Sequence, residues 1–260
     1  MLIDTHCHLD AAEFDADRDA VAARALVAGV SVIVIPAVEY ANFDAVLAAC
    51  GRYSSCVPAL GMHPMYIAKH KPEHLDHLRA AIDKHRPVAV GEIGLDFFVP
   101  DLDHAVQEFY FVEQLKIARE FDLPVLLHIR RANDQVLKQL RRYQPKGGIA
   151  HAFNGSPQQA EEFAKLGFKL GFGGAMTYTR ALNLRRLAQE LPLDLIVLET
   201  DAPDIPPLSA HKQRNSPEYL PQIAAVLAEL RGMEITEIAA ATSRNAEATL
   251  GLQNPRKMAI

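Results

Sequence analysis

The sequence predicts a single (β/α)₈ barrel of the TIM type, and two observations support this prediction. Short apolar runs alternate with amphipathic helical stretches along a chain of 260 residues, a length close to the ~250 residues typical of such a barrel. Runs such as Val-Ile-Val-Ile and Leu-Ile-Val-Leu are apolar on both faces, which is typical of parallel strands that helices cover on both sides. An open, doubly wound sheet built from the same units is the alternative.

The elements follow one another without a linker or a shift of composition. The predicted strands are the segments 2–6, 31–36, 56–61, 88–92, 125–128, 148–151, 168–172 and 195–200. The predicted helices are the segments 17–28, 42–51, 72–85, 103–121, 133–143, 156–166, 180–190, 217–231 and a last one at 236–250. Ser156-Pro157 is a helix-start signal, and Gly29 and Gly167 follow helix ends. Residues 1–260 are therefore expected to form one barrel domain.

Composition and charge exclude several classes of protein. No apolar run approaches the ~20 residues that a membrane helix needs, and no secretory signal is visible at the N-terminus. The three cysteines, Cys7, Cys50 and Cys56, are scattered and odd in number, which fits a reducing cytoplasm rather than a disulfide framework. The net charge of −5 disfavours a protein that grips a long duplex by its phosphates. It leaves open a nuclease that holds a strand end, because bound divalent cations can reverse the sign locally.

Six imidazole or carboxylate side chains fall at the C-terminal ends of predicted strands. They are His6 and His8 on strand one, Glu92 on strand four, His128 on strand five, His151 on strand six and Asp201 after strand eight. His6 and His8 would share one face of their strand, with Cys7 on the other, because successive side chains alternate. In a barrel, the C-terminal strand ends converge on the face that carries catalytic residues. The pattern therefore places all six groups together.

Packing does not explain six such groups in one place. Burying each of them unpaired would cost several kcal/mol, whereas a shared metal centre removes this cost. Four imidazoles and two carboxylates exceed the needs of one tetrahedral ion and suit two ions about 3.5–4 Å apart, bridged by a carboxylate. Imidazole favours Zn, Mn or Fe and carboxylate also admits Mg, so the identity of the metal stays open.

Four stretches extend this pattern into a family resemblance. They are Asp4-Thr5-His6-Cys7-His8, Gly61-Met62-His63-Pro64, Gly91-Glu92-Ile93-Gly94-Leu95-Asp96 and Leu198-Glu199-Thr200-Asp201-Ala202-Pro203. In this order, over nearly the whole chain, they resemble the TatD-type metal-dependent deoxyribonucleases of the amidohydrolase superfamily, and in particular their YjjV-like branch. The resemblance implies two divalent metal ions, with His6, His8 and Asp201 on one ion, His128 and His151 on the other, and Glu92 as the bridge. Asp201 would also accept a proton from the bridging water.

Other residues near the strand ends are candidates for contacts with substrate or with ligands. His63 follows strand three and would hydrogen-bond a substrate phosphate or the leaving group. Arg130 lies two residues after His128 and would point to the same face of the strand, so it is preferred to Arg131 as a guanidinium that binds a phosphate through two hydrogen bonds. Arg214 is a second candidate for this role. Solvated arginines and a loop-structuring histidine are the alternatives. Two carboxylates, Glu199 and Asp96, would orient a metal ligand or a nearby cation, with a buried ion pair as the alternative.

Three functions remain open at this point. The first is hydrolysis of phosphodiester bonds in DNA, at a strand end or in a single strand. The second keeps the metal site but takes a small phosphate ester, or a cyclic amide or lactone. Many barrels of the superfamily bridge their metals with a carbamylated lysine, so Glu92 favours the nuclease branch. The third is a barrel that binds metal or nucleotide without catalysis, and the presence of Asp201 as a candidate base argues against it.

Overall fold

The computed structural model describes residues 1–252, and it shows eight parallel strands in a nearly closed barrel. The strands are β1 (Leu2–Asp4), β2 (Val30–Pro36), β3 (Cys56–Leu60), β4 (Ala89–Asp96), β5 (Val125–Arg130), β6 (Gly148–Ala150), β7 (Phe168–Phe172) and β8 (Ile196–Leu198). Each strand pairs in parallel with its neighbour in sequence, in the order β1 to β8. The predicted barrel is confirmed, and the open sheet is wrong.

Helices alternate with the strands and cover the outside of the barrel. They are α1 (Arg18–Val27), α2 (Phe43–Arg52), α3 (Glu73–His85), α4 (His104–Glu120), α5 (Asn133–Tyr143), α6 (Pro157–Lys165), α7 (Leu182–Glu190), α8 (Leu220–Arg231) and α9 (Ile235–Leu250). A Ser156 capping box opens α6, as the Ser-Pro signal predicts. The last eight residues of the predicted domain, 253–260, lie outside the described residues.

The first and last strands approach each other through hydrogen bonds just beyond their ends. The Thr5 N–H donates to the Leu198 carbonyl at 3.1 Å, and the Asp201 N–H donates to the His6 carbonyl at 2.8 Å. The His8 N–H adds a bond of 2.7 Å to the Ala202 carbonyl. These bonds hold the loop after β1 against the loop after β8. The segment that carries His6 and His8 therefore lies beside the segment that carries Asp201.

The opposite end of the barrel is filled by apolar side chains. Val32, Leu126 and Val197 belong to one buried cluster with Ala246 and Leu250 of α9. Burial of such side chains stabilises by roughly 1.5–3 kcal/mol each. α9 therefore closes this end of the barrel with apolar residues.

Two predicted strand boundaries differ from the structure in a way that matters for the site. β1 ends at Asp4, so His6 and His8 lie in the following loop rather than on the strand. β4 runs to Asp96 because its pairing with β5 continues to the Asp96–Arg130 partners. Gly94 permits this: its φ is +148°, and a Cβ added there would overlap the His128 carbonyl oxygen. Glu92 therefore lies inside β4 and not at its end.

The three cysteines are free, as the sequence predicts, and all three are buried. Burial raises the pKa of Cys56 to about 12 and raises the pKa values of the Cys7 and Cys50 thiols above the ordinary range. The thiolate is the reactive form of cysteine. We therefore expect no reaction of the native protein with Ellman's reagent at pH 8 over minutes, and three equivalents in guanidinium chloride. Rapid release of chromophore from folded protein would contradict this burial.

No helix among the described residues is long and apolar enough to cross a membrane, as the sequence predicts.

Candidate metal centre

The first part of the site is a cluster of imidazoles and carboxylates from the loops after β1 and β8 and from β4. His6 Nε2 lies 3.3 Å from His8 Nε2, 3.1 Å from Glu92 Oε2 and 3.9 Å from Asp201 Oδ1. Ligand distances of about 2.0–2.2 Å place neighbouring donors of a tetrahedral ion roughly 3.3 Å apart. The donor atoms of His6, His8 and Asp201 all lie within 4.8 Å of one another, and these are the residues that the resemblance assigns to one ion.

Glu92 also contacts a second group of imidazoles through its other carboxylate oxygen. Glu92 Oε1 lies 3.0 Å from His128 Nδ1 and 3.3 Å from His63 Nε2. The carboxylate is almost fully buried, with a side-chain exposure of 3%. One oxygen of Glu92 thus points to His6 and His8, and the other points to His128 and His63. This is the placement expected of a carboxylate that two ions share.

His151 lies on the other side of His6. The two rings stack with their centroids 3.7 Å apart, and His151 Nε2 is 3.6 Å from Asp201 Oδ2. Among the described residues, His151 falls into a possible ligand group with His6 and Glu92, whereas His128 falls into one with Glu92 and His63. The sequence predicts that His63 contacts substrate near the strand ends, but it does not predict the contact with Glu92. The position of His63 three residues after the end of β3, within the Gly61-Met62-His63-Pro64 motif, is the signal in the sequence.

Two carboxylates face the outer nitrogens of these imidazoles. Asp96 Oδ2 lies 3.0 Å from His128 Nε2, and Glu199 Oε1 lies 3.0 Å from His151 Nδ1. Glu199 Oε1 also accepts a hydrogen bond of 2.6 Å from the Ala152 N–H. Each carboxylate therefore contacts one nitrogen of a histidine whose other nitrogen faces the cluster. The structure brings Asp96 and Glu199 to the places predicted for orienting groups.

Asp4 is a further buried carboxylate behind the site. It accepts hydrogen bonds from the Thr200 N–H at 2.9 Å and from Thr200 Oγ1 at 2.6 Å. Burial raises the pKa of Asp4 to about 7. Its position two residues before His6 is the sequence signal for it. Through Thr200, Asp4 joins the chain before His6 to the chain before Asp201.

The pKa values of the histidines and of Glu92 bear on whether the site can hold cations. Burial opposes charging of both rings, but hydrogen bonding to Glu92 raises the pKa of His8 to about 9, and the charges of Glu199 and Asp201 raise that of His151 to about 10. Although burial acts against it, the nearby His63 and His6 rings lower the pKa of Glu92 well below its usual value. The Glu92 carboxylate thus stays ionised, and the His8 and His151 rings hold protons. Divalent cations would displace these protons, so the donor set fits such ions.

The protonation of His63 follows from its backbone contacts. Its Nδ1 accepts a hydrogen bond of 3.1 Å from the Met65 N–H at the start of the short helix Pro64–Lys69. Burial lowers the pKa of His63 to about 4, so the ring is neutral and its proton is on Nε2. This nitrogen faces Glu92 Oε1 as a donor. His63 is therefore arranged to donate a hydrogen bond in the site rather than to offer a lone pair to a metal.

The two predicted phosphate-binding arginines have different surroundings. Arg130 is exposed at the end of β5, two residues beyond His128. Arg214 donates two hydrogen bonds of 2.8 Å to the carboxylate of Asp17 and one more to the Glu13 carbonyl. A phosphate contact from Arg214 would require this pair to open.

The model of the family "TatD related DNase" matches residues 3–251. The chain belongs to the TatD family. The resemblance seen in its motifs is thereby confirmed, and the chain is a metal-dependent hydrolase of that family. The comparisons give no support to the non-catalytic alternative.

Particular TatD relatives match over nearly the full length. The chain is 46% identical over 247 residues to the metal-dependent hydrolase YjjV of Escherichia coli K12, covering 94% of this chain and 95% of the relative. It is 36% identical over 260 residues to the 3'-5' ssDNA/RNA exonuclease TatD of Cronobacter sakazakii, covering 97% and 98%. The crystal structure of the E. coli YjjV protein superposes with a TM-score of 0.92 at 43% identity, covering 95% of this chain and 97% of that one.

Proposed function

We propose that this TatD-family hydrolase cleaves phosphodiester bonds of DNA and holds two divalent metal ions around Glu92. The observation that carries this proposal is the position of that carboxylate between two sets of imidazoles, one facing each oxygen. Two ions that share a carboxylate are a common arrangement for displacement at phosphorus. The net charge of −5 is compatible with it, because the ions would supply the positive charge that attracts a phosphate.

The resemblance to the family divides the proposed ligands between the two ions. His6, His8 and Asp201 would hold one ion, together with Glu92 Oε2. His128 and His151 would hold the second, together with Glu92 Oε1. The Asp96 and Glu199 contacts support this assignment, because a carboxylate on one ring nitrogen orients the other nitrogen toward a metal. Bound ions would act as Lewis acids and lower the pKa of a water from about 15.7 towards ~7.

Asp201 and His63 are the residues that we propose to handle protons. Asp201 keeps a side-chain exposure of 16%, so water can reach its carboxylate, and it would accept the proton of the attacking water. His63 carries its proton on Nε2 and would donate a hydrogen bond to a phosphoryl oxygen or to the departing oxygen. Both groups lie on the C-terminal face, where substrate enters a barrel enzyme.

A single strand or a strand end is the substrate that we infer. The relative from C. sakazakii is named as a 3'-5' exonuclease of single-stranded DNA and RNA, and an acidic protein has little surface for a long duplex. A small phosphate ester, or a cyclic amide or lactone, is the alternative substrate for the same site.

The test is hydrolysis of end-labelled single-stranded DNA by chelator-treated protein, with Mg²⁺, Mn²⁺ or Zn²⁺ restored in turn. We expect cleavage only after metal is restored, and a ladder that shortens from one end. Asp201→Asn, with its metal content measured in parallel, is expected to lose this cleavage. Metal-loaded wild-type protein that cleaves p-nitrophenyl esters or lactones but no oligonucleotide would overturn the nuclease proposal in favour of the alternative.

A further inference from the structure

An exposed phenylalanine and two arginines form a cluster at the rim of the candidate metal centre. Phe98 follows β4 and keeps 43% of its surface exposed. The guanidinium carbon of Arg130 lies 3.7 Å from the centre of the Phe98 ring, and that of Arg131 lies 4.6 Å from it. We call these three residues the Phe98 cluster. Both guanidinium groups come from the end of β5 and the residue after it.

The two guanidinium groups of the cluster have no polar partner within residues 1–252. Neither donates a side-chain hydrogen bond or pairs with a carboxylate there. Arg214, by contrast, is paired with Asp17 through both terminal nitrogens. Each guanidinium carries five N–H donors and no acceptor. A cation–π contact holds such a group in place without using these donors. The Phe98 cluster therefore presents two guanidinium groups whose N–H donors are available to a ligand.

One carboxylate joins this cluster to the candidate metal centre. Asp96 Oδ2 lies 3.0 Å from His128 Nε2, while Asp96 Oδ1 accepts hydrogen bonds from the Phe98 and Val99 N–H groups at 2.9 and 3.1 Å. Asp96 and Arg130 are also partners in the β4–β5 ladder. The side chain that contacts His128 thus also fixes the backbone that carries Phe98. The position of the cluster relative to His128 is therefore set by short contacts.

We propose that Arg130, Arg131 and Phe98 form a backbone subsite for single-stranded nucleic acid, which binds a phosphate next to the one under attack. This rests on the proposed nuclease function and deepens it. Guanidinium forks bind phosphate oxygens in pairs, and an exposed aromatic ring beside them suits the apolar sugar and base surfaces of an unpaired strand. A substrate with one isolated phosphate has no group to place there. The cluster therefore favours polymers over small esters.

The first test compares Arg131→Ala with Arg142→Ala. Arg142 is a matched control, because its guanidinium carbon also lies over an aromatic ring, 5.3 Å from the centre of Tyr143 at the end of α5. We measure binding of a fluorescent oligothymidylate by anisotropy over a range of salt, in the Asp201→Asn background, with the metal content of each protein measured in parallel. Arg131→Ala should weaken binding about tenfold and reduce the salt slope by about 0.7, the value for one phosphate on a single strand. Arg142→Ala should change neither.

The second test uses hydrolysis and separates this subsite from the proposed function. In the otherwise unchanged enzyme, Arg131→Ala should lower kcat/KM for the oligonucleotide about tenfold more than for bis(p-nitrophenyl) phosphate, which has no neighbouring phosphate. Equal binding by the Arg131 and Arg142 variants would overturn the subsite, whatever the enzyme cleaves. A wild-type enzyme that shows the binding difference but hydrolyses no oligonucleotide would overturn the nuclease function and leave the binding site standing.

Discussion

Glu92→Ala is expected to lower hydrolysis of single-stranded DNA at least about a thousandfold, which corresponds to about 4 kcal/mol of transition-state stabilisation. The carboxylate faces His6 Nε2 at 3.1 Å with one oxygen and His128 Nδ1 at 3.0 Å with the other. Its removal takes a ligand from both proposed ions at once and leaves the imidazoles without their shared counter-charge. Steady-state hydrolysis and metal content by mass spectrometry are the measurements.

Glu92→Gln keeps the volume of the side chain and guards against a folding defect in the alanine variant. Glu120→Ala is the matched control, because Glu120 pairs with Arg79 on the outer helices, with 54% of its side chain exposed. We expect wild-type rates from the control, and wild-type circular dichroism from all three variants. Near-normal hydrolysis by either Glu92 variant would show that the carboxylate does not hold the metals.

The sequence was sufficient for the fold and for the set of residues that gather at the site, for a physical reason. In a barrel of parallel strands, every strand end lies on one face, so placing His128 near a strand end and Asp201 beyond one already brings them together. It was harder to predict which side chains within the site contact each other. Stacking of His151 on His6 and contact of His63 with Glu92 depend on side-chain directions in loops, where neither a helical nor a strand period applies.

Contacts between distant parts of the chain could not be predicted from the sequence either. Arg214 meets Asp17 across 197 positions of sequence, and no local pattern marks such a pair. The prediction also placed the end of β4 too early, for a related reason. Pairing of Asp96 with Arg130 on the next strand extends β4 beyond Glu92, and a glycine within a strand, Gly94, usually indicates weakening rather than continuation. Both cases are tertiary contacts that override a local signal.

Glycine at position 171 is what gives Glu199 room to reach His151. A Cβ added at Gly171 would lie 2.6 Å from Glu199 Cδ, and Glu199 itself is buried at 1% exposure. Because the added Cβ would overlap the carboxylate, Gly171→Ala should push it away from the Ala152 N–H and from His151 Nδ1. We expect activity to fall about 10–100-fold, as when an orienting partner of a metal ligand is lost. Overpacking should lower the free energy of unfolding by about 1–3 kcal/mol.

The two effects of Gly171→Ala can be separated from each other. Gly51→Ala is the control: an added Cβ at Gly51 of α2 meets nothing within 4 Å, and alanine in a helix is favoured over glycine by about 1 kcal/mol. Glu199→Gln leaves the packing unchanged but replaces the carboxylate, so it should lose activity with little change in urea unfolding. If Gly171→Ala loses stability but hydrolyses DNA as fast as Gly51→Ala, Glu199 only packs the barrel. If both position-171 and position-199 variants lose activity together, Glu199 acts through the orientation of His151.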